Sequence, residues 1–491
     1  MAGGQDKLQD GFHEPSVPVL KRLKKTNIDI RDVTHALARY APEDSSHQPM
    51  PPRLAVVITL MIGLMMGAII NGNSLPLFLL TLMLTSYFPL YVMAILLDVR
   101  TPLTLEFLAD TQLPRYTVIL PLYKEANMVG QITYAMRQIN YPSKKIEFFY
   151  VVEESDLQTY KALRKALSEA LADGIVNEKI LVVPDGIPRT KPRACNYALA
   201  HASGDLLVIY DAEDIPHRNQ LRAAASEFAR HENINDKRLA CLQAPLDIKL
   251  EKNEGFLARQ MTLDYLHLFR FILPALVRFK IPLPLGGSSN HFIVDVLREI
   301  YGWDSWNVTE DADIGIRMAF RGYTTAMIDP PTIESPTRDF WDFVKQRTRW
   351  QKGHFQTLLV LLRKPLKLIK KVGVIGYIGL HLVILTRCLY GLGVWVFIGV
   401  CLFSIPDIQR LADYQWQLFV IFINWAMIFY SYFYVCHRAK RSDLYKDIFG
   451  LFVIWLLAGF ITCRAIAQLF WSPFTWEKTN HTPVGSGMDE V

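Results

Sequence analysis

Hydrophobic positions in this 491-residue chain fall into long blocks near both ends and short runs between them. Leu54 to Ile70 and Leu75 to Leu97 are nearly uncharged and are separated by the polar turn Asn71-Gly72-Asn73-Ser74. Each approaches the ~20 residues that a spanning helix needs, which predicts a helical hairpin. The blocks return after Lys371 as Val372 to Phe403, Tyr414 to Cys436 and Ile448 to Trp471. Arg387 interrupts the first of these and Arg464 lies near the end of the last. Blocks so long and so many predict an integral, multi-pass membrane protein rather than core helices of a soluble one.

The middle of the chain has a different rhythm. Strands are predicted at Tyr116 to Leu120, Ile146 to Val152, Ile180 to Val183 and Asp205 to Tyr210. Helices are predicted at Glu125 to Gln138, Asp156 to Leu171, Pro192 to Ala202 and Arg218 to Arg230. Such alternation predicts an α/β, Rossmann-like domain whose parallel sheet is covered by helices on both faces. The resulting division is an N-terminal segment (1–52), a transmembrane hairpin (53–98), the α/β domain (110–335), interfacial amphipathic helices (336–371), a C-terminal transmembrane region (372–471) and a tail (472–491).

Charge adds an orientation. The formal net charge is +6 and the basic residues gather beside the apolar blocks, where anionic lipid headgroups suffice to explain them. Lys21-Arg22-Leu23-Lys24-Lys25 precedes the first block, no secretory signal is evident, and positive residues favour the cytosolic side. The hairpin then returns the chain to the cytosol near Asp98, which makes the α/β domain cytosolic, at the plasma (inner) membrane. The clusters at Arg363-Lys364, Lys370-Lys371, His437-Arg438 and Lys440-Arg441 fit two crossings between them. The last block is then either one more crossing, leaving the C-terminus outside, or a re-entrant or interfacial segment that keeps it inside. No basic face with aromatic platforms suggests nucleic acid as a partner. The six cysteines (195, 241, 388, 401, 436, 463) have no metal-ligand spacing.

Acidic residues fall where the strands end, which is where ligands collect in open α/β sheets. Glu153-Glu154 follows one strand and Asp211-Ala212-Glu213-Asp214 another. The second cluster reads either as a solvated cap before Ile215-Pro216 or as a divalent cation site. Its place after an apolar strand favours Mg²⁺ or Mn²⁺. Lys191 opens a predicted helix, as a phosphate contact or a solvated surface residue. Leu283 to Phe292 carries the pair Gly286-Gly287, either a tight turn or a close backbone approach to a ligand. Thr309-Glu310-Asp311 opens another helix, and a carboxylate there can serve as a general base. Asp304, between Trp303 and Trp306, is a second acidic candidate. Gln346-Arg347-Thr348-Arg349-Trp350 combines two guanidinium groups with an indole. It reads as a basic helix on lipid, as a diphosphate and sugar site, or as both at once. The arginines, at i and i+2, splay on a helix.

The order Pro121-Leu122-Tyr123-Lys124-Glu125, Glu153-Glu154, Asp211 to Asp214, Thr309-Glu310-Asp311, Gln346 to Trp350 resembles the inverting family 2 glycosyltransferases with a GT-A fold. More narrowly, it is similar to the membrane-embedded cellulose, chitin and hyaluronan synthases. The resemblance implies a role for each position. Glu153 or Glu154 contacts the donor nucleotide. Lys191 approaches its phosphates. Asp211 and Glu213 hold the metal, with Asp214 as an additional ligand. Asp311 is the base, beside Glu310. Arg347 and Arg349 neutralise the diphosphate. Trp350, Gln346 and the Gly287-Ser288 loop face the acceptor. Phe474-Thr475-Trp476-Glu477-Lys478-Thr479 resembles a gating segment over the donor, against the simpler reading of a disordered tail.

The implied activity is processive transfer from a nucleotide sugar, UDP-glucose first, into a β-linked polysaccharide that crosses the membrane. Accessory export proteins are compatible partners. The alternatives are a single transfer to a membrane lipid acceptor, as in glycolipid synthases, and a non-enzymatic subunit with a degenerate site.

Overall fold

The computed structural model describes residues 33–48, 67, 74–103, 106–172, 177–233, 238–363, 365–404 and 412–479. The predicted span Leu54 to Ile70 (Gly67 apart), the basic run at 21–25 and the chain after Thr479 lie outside the described residues.

Ten strands are present among the described residues: β1 (Tyr116–Leu122), β2 (Ile146–Glu153), β3 (Glu178–Val183), β4 (Leu206–Ile209), β5 (Ile215–Pro216), β6 (Leu239–Gln243), β7 (Leu246–Ile248), β8 (Asn290–Ile293), β9 (Thr324–Met327) and β10 (Thr332–Glu334). Seven form the main sheet in the order β3-β2-β1-β4-β8-β6-β9, and β5-β10-β7 form a small second sheet. The first four are parallel, as the alternation predicts. The sheet is nevertheless mixed, because β8 runs antiparallel to both β4 and β6. Only four residues long and preceded by glycines and serines, β8 carries too little periodicity to be read as a strand.

Alternate residues of the strands feed two cores. Ile119, Phe149, Val151 and Leu207 pack with Cys195, Ala198 and Leu199 of α5 (Lys191–His201). Val118, Leu120, Tyr150 and Val208 pack with Ile132 and Met136 of α3 (Val129–Arg137) and Leu221 and Ala224 of α6 (Gln220–Asn233). The helix α4 (Leu157–Ala172) covers β2 and β3 and is capped by Asp156, whose carboxylate accepts from Thr159 N at 3.2 Å. Strand order reverses at β1, which lies between β2 and β4, and the carboxyl ends of these strands open a crevice there.

Further on come α7 (Phe256–His267), α8 (Leu273–Arg278), α9 (Val294–Glu299), α10 (Glu310–Phe320) and α11 (Phe340–Leu361). The apolar helices are α1 (Ser74–Leu84) and α2 (Phe88–Leu96), α12 (Pro365–Ser404), α13 (Gln415–Arg438) and α14 (Leu451–Trp471). Among the described residues, four helices are long and apolar enough to cross a membrane: Leu75–Leu96, Pro365–Phe403, Gln415–Arg438 and Ser442–Trp471. In α12, Gly373 takes a φ of 73°, which breaks the basic first turns from the apolar remainder. Small residues let the helices approach closely: a Cβ on Gly391 would lie 2.5 Å from the backbone of Ala458.

The last apolar block begins and ends against the α/β domain. At its start, Arg259 pairs with Asp447 at 2.6 Å and Gln260 donates to Asp447 O at 2.6 Å. At its end, Lys352 Nζ donates to Ser472 O at 3.1 Å. The 21-residue helix α14, ~31 Å long, packs on Leu257 of α7, on Phe343 and Val344 of α11, and on α12.

The N-terminal stretch also docks on the domain. Ser45 Oγ and Ser46 N donate to the Asp304 carboxylate at 3.0 and 2.6 Å. Asp304 is thus a buried anchor, off the cavity described below, and not a second acid at the site.

One close contact joins α11 to the segment that precedes α10. A Cβ on Gly353 of α11 would sit 2.0 Å from Thr309 Oγ1. Around it, Asn307 Nδ2 donates to Thr357 Oγ1 at 3.0 Å and Val308 N to Gln356 Oε1 at 3.0 Å. Alanine favours a helix interior by about 1 kcal/mol over glycine, yet Gly353→Ala should lower stability by roughly 1–3 kcal/mol through overpacking. Thermal unfolding of the detergent-solubilised protein checks this. Thr309→Ala in the same chain should recover part of the loss.

Candidate active site

The crevice at the strand ends continues into a cavity of about 510 Å³ that runs from the α/β domain to the apolar helices. Its inner end is lined by Glu125 after β1, Glu153 at the end of β2, and Asp211 and Glu213 after β4. Its middle holds Lys191, Gly287, Glu310, Asp311, Gln346, Arg347, Arg349 and Trp350. Its far end passes Tyr87, Tyr91, Tyr390, Tyr432 and Trp455 of the apolar helices.

Glu153 and Glu154 part company. Glu153 is buried and held by Arg193 Nη1 at 2.8 and 3.1 Å, whereas Glu154 is exposed and accepts from Asp185 N at 3.1 Å. Glu153 is the last residue of β2, and Glu154 lies in the turn that follows it. Lys191, at the start of α5, ion-pairs with Asp211, donates to Gly287 O at 2.6 Å and stands 4.0 Å from Glu310. Burial opposes its charge, but Asp211 and Glu310 hold its pKa above the ordinary lysine value.

Asp211 and Glu213 both face the cavity. Asp214, expected as a further metal ligand, does not: it is fully buried and accepts from Asp211 N at 2.7 Å and from the Ser288 hydroxyl. Burial, then the charge of Glu334, pushes its carboxyl well up, toward the neutral form. Asp214 shapes the turn that carries the other two. Ser288, expected on the acceptor side, lies behind the wall for the same reason, while Gly287 stays on it. Among the described residues no three His, Cys, Asp or Glu side chains are grouped to hold a metal. Two carboxylates completed by phosphate oxygens and water still suit Mg²⁺ or Mn²⁺.

Glu310 and Asp311 are the first two residues of α10. Burial raises both carboxyls; Lys191 opposes this for Glu310, and the Ala312 N–H, Lys191 and Arg349 oppose it for Asp311. Asp311 Oδ1 is buried without a hydrogen-bond partner among the described residues, an open acceptor on the cavity wall. Gly287 backs the same carboxylate: a Cβ there would lie 3.4 Å from Oδ2.

The two arginines of α11 splay, as their spacing predicts. Arg347 pairs with Asp264 of α7 at 2.8 Å and stacks 4.6 Å from the Trp350 ring. Arg349 turns the other way, 4.8 Å over Trp476, where its charge reaches Asp311. Arg347 therefore belongs with Trp350 rather than beside Arg349. Gln346 lies between them, 3.4 Å from Thr337 Oγ1.

The tail closes the inner end. Lys352 Nζ donates to Thr475 O at 2.8 Å, Glu477 pairs with Arg464 at 2.6 Å, and Lys478 pairs with Glu125. Phe474 meets Trp306 edge-on at 4.8 Å, and Trp476 and Thr479 line the cavity. Sequence reasoning missed Arg193, Glu125 as an ion-pair partner, Asp264, and Tyr265, whose ring lies 6.4 Å from Trp350. Their partners are 40 to 353 positions away, beyond any local spacing rule. Arg387 and Arg464 did leave a signal, each as a charge in an apolar block.

Comparison with known proteins gives the family and the fold. The sequence profile of Glycosyl transferase family group 2 matches residues 206–470, and that of Glycosyl transferase family 2 matches 117–283. The chain is 23% identical over 263 residues to a probable glycosyltransferase, YdaM, of Bacillus subtilis (53% of this chain, 60% of that protein). It is 25% identical over 268 residues to a cellulose synthase 1 catalytic subunit (UDP-forming) of Komagataeibacter xylinus (53% and 33%). To a beta-monoglucosyldiacylglycerol synthase of Synechocystis it is 22% identical over 251 residues (50% and 49%). The chain thus spans between a third and three fifths of these relatives. The fold matches that of a Pyrobaculum calidifontis mannosyltransferase solved with GDP-Man and Mn²⁺, with a TM-score of 0.52 at 17% identity over 83% of this chain and 99% of that one. With more than half of its length matched by the family profile, this chain belongs to Glycosyl transferase family group 2.

Proposed function

We propose that the chain transfers a hexose from a nucleotide sugar, with inversion, to the end of a β-linked glycan and passes the product between its membrane helices. The observation that carries this reading is one continuous cavity, acidic and cationic at one end and aromatic at the other. Sugars present C–H faces to rings, so Trp350 and the tyrosines beyond it suit a saccharide path.

In this reading Asp311 takes the proton of the acceptor hydroxyl while its oxygen bonds to the anomeric carbon and the bond to the diphosphate breaks. The charge arriving on the diphosphate is met by Lys191 and Arg349. A Mg²⁺ or Mn²⁺ held by Asp211 and Glu213 would supply further neutralisation there. Glu153, fixed by Arg193, contacts the nucleotide. Trp350, oriented by Arg347 and Tyr265, holds the acceptor sugar. The tail from Phe474 to Thr479 covers the donor, with UDP-glucose as the first donor to test. The α/β domain is cytosolic, and α14 lies at the interface so that the C-terminus stays on that side.

A single transfer to a lipid acceptor is favoured by one observation: Leu84, Ile428, Ile454 and Ile461 also line the far end of the cavity. Radiolabelled donor supplied to the purified protein in liposomes separates the two. Labelled polymer supports the glycan synthase, and a monoglycosylated lipid alone overturns it. Asp311→Asn should lower kcat by roughly 10²–10⁴-fold in either case.

The pH profile tests the base. Asp311 acts ionised, so activity falls as pH drops through its pKa, which burial places above the ordinary value of about 4. Arg349 favours the ionised form, so Arg349→Leu should move the acid limb of kcat/KM to higher pH. An unmoved limb would separate Arg349 from the base.

Chelation tests the metal. EDTA should abolish release of nucleoside diphosphate, and Mg²⁺ or Mn²⁺ should restore it. Asp211→Asn should raise the metal concentration needed for half-maximal activity, whereas Asp214→Asn should leave that concentration unchanged and lower stability.

A further inference from the structure

Five lysine and arginine side chains line the cavity: Arg189, Lys191, Arg347, Arg349 and Arg387. Three have a carboxylate within ion-pair distance: Asp185, Asp211 and Asp264 respectively. Among the described residues, Arg349 and Arg387 have none. Arg349 faces the donor end, where the reaction supplies its anion. Arg387 lies in α12, past Trp350, and the proposed reaction gives it no task.

Its position is fixed from two sides. Gln351 Nε2, next to Trp350 in α11, donates to Arg387 O at 2.9 Å and to Cys388 O at 2.6 Å. On the other flank, Ser86 Oγ and Thr386 Oγ1 lie 2.7 Å apart and Tyr87 Oη donates to Val383 O at 3.3 Å. The neighbouring imidazoles bring no counter-charge. Burial, helped by Arg387 itself, pushes His267 down to about 3 and His354 down to about 4, so both are neutral at pH 7. Asp264 feels Arg387 too, but it is already paired with Arg347. Of the two carboxylates on this stretch of wall, Asp264 pairs with Arg347 and Glu334 engages the Tyr265 hydroxyl, and neither is within ion-pair distance of Arg387. A charge in an apolar span usually marks a ligand or a path, and a guanidinium fork matches a carboxylate or phosphate.

We propose that Arg387 forms an acceptor subsite for an anionic substituent, a carboxylate or a phosphate ester, on the saccharide whose reactive end rests on Trp350. The rings of Tyr87, Tyr91, Tyr390 and Tyr432 around it suit a sugar better than an acyl chain. This rests on the glycan-synthase reading and adds a substrate class to it: an acidic rather than a neutral acceptor. Arg387 selects the acceptor, and Asp311 activates it.

The test uses the full chain in nanodiscs of neutral lipid, with methyl glucuronide and methyl glucoside as paired probes. Binding is measured by calorimetry and, separately, each probe's effect on label transfer is followed. The wild type should bind the glucuronide about tenfold more tightly than the glucoside, a preference of the size expected for a charge-assisted pair. Arg387→Gln should erase the preference and Arg387→Lys should keep most of it, a pattern that a purely structural arginine would not give. Equal binding of the two probes by the wild type, or a preference that survives Arg387→Gln, overturns the proposal. Farnesyl phosphate out-competing the glucuronide at this site would overturn it in favour of a lipid phosphate. Polymer formation without added probe reports on the glycan-synthase reading alone, so the two can fail separately.

Discussion

The close approach of α11 to the Asn307–Thr309 segment is the contact on which the rest depends. Gly353 lets the helix backbone come against Thr309, and Gln356 and Thr357 hold the chain on either side. Thr309 immediately precedes α10, so this contact sets where Glu310 and Asp311 stand. The same helix carries Arg347, Arg349 and Trp350 into the cavity, and through Gln351 it is hydrogen-bonded to α12. A rigid link of this kind gives the acid, the cations and the stacking ring one frame. A displacement of about 1 Å at a reacting centre can cost two orders of magnitude in rate, so such a link matters more than any single contact in the cavity.

Charge within that frame is graded rather than merely collected. Lys191 stands between Asp211 and Glu310, which offsets the cost of placing three carboxylates near one another. Arg349 and Lys191 both draw Asp311 toward its ionised form against burial. A donor diphosphate would engage the same two cations, so its arrival and departure would be felt by the proposed base. Arg347 and Arg387 are farther along, where α7, α11 and α12 meet the apolar helices. The cavity thus has two cationic stations separated by Trp350, and a chain with one reaction has a natural use for the first alone.

What the sequence revealed and what it hid divide along physical lines. Strands β1, β2 and β4 were legible because strands buried on both faces read as apolar runs, and each ended in the acidic residues that line the cavity. The helix starts at Lys191 and Glu310 were legible from local chemistry. Strand β8 was not, since its pairing with β4 and β6 is wholly non-local. Consecutive residues were also beyond reach: nothing in Glu153-Glu154 or in Glu213-Asp214 says which carboxylate turns inward. The choice was made by Arg193 in the first pair and by Ser288 in the second, far along the chain in both cases. Composition separated apolar blocks from the rest but carried no sign of where the ends of those blocks are tethered.

Those tethers bear on the whole design. The final block, α14, is as long and apolar as a spanning helix, yet Asp447 just before it pairs with Arg259, and Ser472 just after it is held by Lys352. A helix tethered to the domain at both ends delivers the following residues back to that domain. Glu477 then reaches Arg464 within the block, and Lys478 reaches Glu125 after β1. The charge at position 464, costly if exposed to hydrocarbon, is thereby matched by a tail carboxylate. The tail also places Trp476 over Arg349 and Thr479 on the cavity wall. The tethering of one apolar helix at both ends, the pairing of its arginine and the return of the tail to the cavity are therefore one structural arrangement.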